Sequence, residues 1–115
     1  MSGAGTARSA GAHEAAVKDA GAGRFLLSGA LTMASAPRLR GEGLQAFAAH
    51  GGALEIDLSA VARVDSASLA LLIDWLAWAR AAGRAMRFTA LPAAMLALAR
   101  LSDVETLLLG GSAAP

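Results

Sequence analysis

Residues Leu54–Leu72 run L-E-I-D-L-S-A-V-A-R-V-D-S-A-S-L-A-L-L, and the reading of this stretch decides the fold. Leu54, Ile56 and Leu58 alternate with Glu55 and Asp57, the two-residue period of a strand with one buried face. Asp65, Ser66 and Ser68 then precede a long apolar run. These are the residue types that satisfy free backbone N–H groups at a helix start. The stretch predicts a strand over Ala53–Leu58 and a helix over Ser66–Ala82, stopped by Gly83.

Working outward, Arg24–Leu31 reads as a strand, with a shorter one near Ala15–Lys18. The Gly-containing turn Asp19–Gly23 joins them into a hairpin. Pro37 suits a helix start, with Ser35 as its cap. That helix runs to about His50 and buries Leu39, Leu44 and Phe47. Gly41 and Gly43 weaken it, each by up to ~1 kcal/mol relative to Ala. Downstream come a strand over Ala85–Ala90 and a helix begun by Pro92 that carries Met95, Leu98 and Leu101. A last apolar run, Thr106–Leu109, reads as an edge strand. Alternating strands and helices after an opening hairpin predict a small α/β two-layer sandwich. Its sheet is mostly parallel, with the helices on one side. The domain spans 13–110, between tails at 1–12 and 111–115 too poor in bulky apolar residues to order.

Composition narrows the function. Hydrophobic residues make up 56% of the 115, but alanine supplies about half of these, so the core rests on few large side chains. Charged residues are 17%, below the ~25% usual for soluble domains, which suggests a surface partly covered by a partner. The net charge is +1, there is no tyrosine and aromatics are 4%, so the clustered basic footprint of a nucleic-acid binder is missing. Cysteine is absent, excluding disulfides, thiolate metal sites and a cysteine nucleophile. The most apolar window, Ala67–Ala79, is interrupted by Asp74 and falls short of the ~20 residues that span a bilayer. No signal-peptide core is visible in the first 23 residues. A cytoplasmic chain without direct membrane insertion is expected.

The Ser66–Ala82 helix has two apolar stripes. At about 100° per residue, Leu69, Leu72, Ile73 and Leu76 form one, and Leu71, Trp75 and Trp78 lie almost opposite. Only one stripe can face the sheet of a two-layer domain. Four aliphatic residues make the natural core face, which leaves both tryptophans outward as an interface patch. The competing arrangement, in which they tuck under a neighbouring helix, is the usual fate of an aromatic stripe. It yields here because the opposite face already supplies a core.

Asp65-Ser66-Ala67-Ser68-Leu69 resembles the D-[ST]-[SA]-G-L signature of STAS domains. That family includes anti-anti-sigma factors and the small cytoplasmic MlaB-like subunit of the phospholipid transporter that maintains outer-membrane lipid asymmetry. In element order the resemblance covers Glu14 to Leu109. It implies that Ala67 stands where anti-anti-sigma factors carry their phosphoacceptor serine. A methyl group takes no phosphate, so the resemblance points away from a kinase switch. Ser66 keeps the preceding hydroxyl, and Ser68 replaces the family's glycine. Read from the residues alone, Ser66 is equally a plain helix cap beside Asp65, and Ser68 a first-turn side chain bonded locally.

Chemistry-bearing constellations are missing. His13 and His50 have no second ligand at metal spacing. Glu55 and Asp57 share one strand face, but Asp57 is expected to bond backbone near Ser59 rather than act in acid–base work. No phosphate loop or nucleophile–base pair can be assembled. Neither catalytic residue, metal nor cofactor is expected. The resemblance implies a non-catalytic subunit that binds the ATPase of a phospholipid-transporting ABC complex with a membrane permease, peripheral at the inner membrane. The expected partner-binding set is Ser66, Ala67, Ser68, Leu71, Trp75 and Trp78. The alternatives are an anti-anti-sigma factor acting on an anti-sigma kinase, and a ligand-sensing STAS module.

Overall fold

The computed structural model describes residues 14–110; the tails expected at 1–12 and 111–115 lie outside them. Four strands form one sheet in the order β1 (Ala16–Gly21), β2 (Arg24–Leu31), β3 (Leu54–Val64), β4 (Met86–Thr89). β1 and β2 are an antiparallel hairpin, whereas β2–β3 and β3–β4 run parallel. The hairpin turns on Ala22 and Gly23, both at positive φ, as the tight turns matching strand twist require. Parallel neighbours need a crossover, and helices provide it. α1 (Ala36–Ala48) links β2 to β3, and α2 (Ser66–Ala81) links β3 to β4. α3 (Ala93–Leu101) and α4 (Glu105–Gly110) complete the described chain.

Strand alternation sets the layers. Phe25, Leu27 and Leu31 of β2, Leu54, Ile56 and Leu58 of β3, and Met86 and Phe88 of β4 are buried. Leu26, Ser28, Glu55, Asp57 and Arg87 on the other face are not. The helices cover the first face, and the core lies between the two layers. On the open face Glu55 bridges Arg24 at 3.5 Å and Arg87 at 3.1 Å, tying three strands together.

The expected fold class holds, with three corrections. β3 continues to Val64 rather than ending at Leu58. Its second half outruns β4 and pairs with β2 alone through two register shifts, so it needs no apolar alternation. Thr106–Leu109 is part of helix α4, not an edge strand. A threonine and three leucines fit either state; Glu105 in the first turn favours the helix, and only Leu108 of the run is buried.

The third correction concerns α2. Leu71 is 2% and Trp75 0% exposed, and Trp78 is half-buried, so the stripe read as outward is packed. The reason is α1, which lies beside α2 in the same layer and presents Leu39, Gly43 and Phe47. A Cβ on Gly43 would run into the Trp75 indole. Phe47 meets Trp75 edge to face at 5.1 Å and Phe25 likewise at 5.1 Å, forming an aromatic chain from α2 through α1 to β2. The Arg84 guanidinium sits 5.5 Å from the Trp78 ring centre.

Candidate functional site

β2 and β3 end side by side, Leu31 opposite Val64, and each leads into a helix. At this end Asp65 caps α2. Its Oδ1 accepts the N–H of Ala67 at 2.8 Å and of Ser68 at 3.3 Å. In return, the Asp65 N–H donates to Ser68 Oγ at 3.2 Å, closing a capping box. The Ser68 hydroxyl donates to the Asp65 carbonyl and is fully buried. The cap is therefore Asp65, not Ser66. Ser35 occupies the N-cap position of α1 without capping it, because its hydroxyl is held by Ala30 O and the Thr32 N–H.

Between the starts of α1 and α2 lies a shallow, mostly apolar groove of about 320 Å³. Met33, Ala36 and Pro37 form one wall, and Ala67, Ala70 and Leu71 the other. Arg40 and Asp74 also line it, paired across the helices at 3.2 Å. Met33 is 76% exposed. It extends the apolar wall formed with Ala36 and Pro37.

Of the residues expected at a partner surface, Ala67 and Leu71 line this groove, with Ser66 exposed next to them. Ser68 is turned into the capping box. Trp75 is sealed beneath α1 and offers no surface, its Nε1–H donating to Arg40 O at 3.4 Å. Trp78 packs with Arg84 and Phe47. Met33, Pro37 and Arg40 escaped the sequence reading because they come from a different crossover. Their one local signal is a lone methionine in the short polar turn after β2.

The two carboxylates of β3, Glu55 and Asp57, are both engaged structurally. Asp57 accepts the Ser59 N–H at 2.8 Å, and the backbone and hydroxyl bonds from Ser59 hold its carboxyl below the usual carboxylate range. Among the described residues no group of three or more His, Asp or Glu converges as a metal site, and no helix is long and apolar enough to cross a membrane.

The sequence matches a family profile described as "Mlab, STAS domain" over residues 15–110. This chain belongs to the STAS domain family. The match takes in the whole sheet and all the helices just described, with the signature Asp65–Leu69 at the β3–α2 junction. A comparison with curated proteins found no match. Within this STAS domain the signature does local work first: its aspartate caps a helix, and its fourth residue is buried beneath the cap.

Proposed function

We propose that this STAS domain is a non-catalytic accessory subunit of a phospholipid-transporting ABC complex. It binds the ATPase subunit through the α1–α2 groove and supports assembly or activity. The complex would hold it at the inner membrane, while ATP is hydrolysed on the partner. The observation carrying this reading is Ala67, a methyl in the groove wall where kinase-switched relatives need a hydroxyl. Met33 and Pro37 opposite make the surface suited to constitutive apolar docking rather than to a phosphate-gated contact.

The test is affinity capture of the tagged chain from detergent-solubilised native membranes, followed by ATPase assays of the purified complex with and without it. Recovery of the ATPase and permease, and a changed rate on removal of the chain, is the expected result. An anti-anti-sigma role draws on the exposed hydroxyl of Ser66. Capture of an anti-sigma kinase, with high phosphate occupancy on Ser66, would replace the transporter reading.

A further inference from the structure

Beyond Leu31 and Val64 the paired strands part, β2 into the turn 32–35 and β3 into α2. One side chain crosses the gap. While Oδ1 of Asp65 caps α2, its Oδ2 accepts the N–H of Met33 at 3.0 Å. The turn is otherwise braced within itself. Ser35 Oγ donates to Ala30 O at 2.7 Å and accepts the Thr32 N–H at 3.0 Å, and the Ala34 N–H reaches Thr32 Oγ1 at 3.3 Å. None of these bonds reaches α2. Among the described residues, the Met33–Asp65 bond alone joins this turn to the segment that opens α2.

We propose that Asp65 is the positioning residue for the Met33 end of the groove: its two carboxylate oxygens fasten the turn bearing Met33 to the start of α2, while the α1–α2 contacts hold the rest of the two walls. The proposal rests on the groove being the partner site. Capping needs one oxygen, and Ser or Asn caps about as well as Asp. The second task needs a second acceptor facing the other way, which a carboxylate has and a hydroxyl lacks. Asparagine has a single oxygen too. Whichever way its amide turns, an NH₂ opposes either the Met33 N–H or the cap N–H groups.

The experiment uses the full chain as wild type, Asp65→Ser and Asp65→Asn. It reads NMR amide exchange at Met33 and Ala67, the denaturation midpoint, and affinity for the ATPase subunit. For Asp65→Ser, the Ala67 amide and the midpoint should stay near wild type. Exchange at Met33 should rise about tenfold, the worth of a hydrogen bond to a charged group at a local opening. Affinity should fall by a similar factor. Asp65→Asn should speed exchange at Met33 or at Ala67, but not at both. Unchanged Met33 exchange overturns the proposal. So does a joint loss at Met33 and Ala67 with a lower midpoint, which would leave Asp65 a cap only. A loosened Met33 with wild-type affinity overturns it as well. If the wild-type chain fails to bind the ATPase subunit, the functional reading fails on its own, and the exchange data alone decide whether Asp65 holds the Met33 turn.

Discussion

The Trp75 indole lies directly against Gly43, so close that no side chain fits between α1 and α2 at that point. This contact lets one helix bury two opposite stripes in a two-layer domain. Leu69, Leu72 and Leu76 serve the core on one side, while Leu71 and Trp75 are taken up under α1. The glycine that weakens α1 by propensity is what admits the largest side chain of the core.

Two glycines of α1 should therefore respond in opposite senses to alanine. Gly41 has open space around a would-be Cβ, so Gly41→Ala should stabilise by up to about 1 kcal/mol through helix propensity. Gly43→Ala gains the same propensity but overpacks against a rigid ring, at a penalty of about 1–3 kcal/mol. It should come out neutral to destabilised, and clearly below Gly41→Ala in denaturation midpoint. Equal midpoints for the two variants would mean that the indole moves aside freely.

Trp75→Ala should destabilise by about 3–5 kcal/mol, as large core truncations do. That is a sizeable part of the ~5–15 kcal/mol available to a domain. Leu72→Ala should fall in the same class, and the half-buried Trp78 below both. Chemical denaturation of the three variants checks the order. A Trp75→Ala variant as stable as wild type would restore an outward tryptophan.

The fold was legible wherever the signal was local. β2 runs over Arg24–Leu31 as read from the sequence, and α2 begins at Ser66 because Asp65 is a cap by residue type. The fate of Trp75 was not legible. A helical wheel gives the angle between two stripes but not which neighbours cover them, and the covering helix was itself discounted for its glycines. A hint lay in Leu39, Gly43 and Phe47, which share one face of α1 at a spacing of four. The groove divides the same way. Ser66 and Ala67 stood out by motif, whereas Met33 joins them through its bond to Asp65 and Arg40 through the placement of α1.

Arg84 clamps the C-terminal end of α1. Nη1 donates to Phe47 O at 2.9 Å, while Nη2 and Nε donate to Gly52 O at 2.8 and 3.0 Å. A lysine cannot span both carbonyls with one ammonium. Arg84→Lys should lose about 1–2 kcal/mol of stability although charge is kept. A midpoint matching wild type would show that charge over Trp78, rather than the fork, matters there.

Asp57 gives a pH signature. Its carboxyl is held below the usual range by Ser59, so the folded state favours the charged form. That contribution is present above the unfolded carboxylate value of about 4 and is lost as pH falls through the lower folded value. Asp57→Ala should be less stable than wild type at neutral pH, and the gap should close in acid. A gap independent of pH would show that the Ser59 bonds do not depend on the charge.

Ala70 tests the central claim most directly, because it is exposed on α2 and lines the groove. An arginine there should leave stability within about 0.5 kcal/mol, as surface substitutions do, while filling the space between Ala67 and Met33. Calorimetric titration of the ATPase subunit with wild type and Ala70→Arg is the measurement. The account predicts an affinity at least about tenfold weaker for Ala70→Arg with an unchanged denaturation midpoint. Wild-type affinity in that folded variant would place the partner elsewhere on the domain and contradict the account.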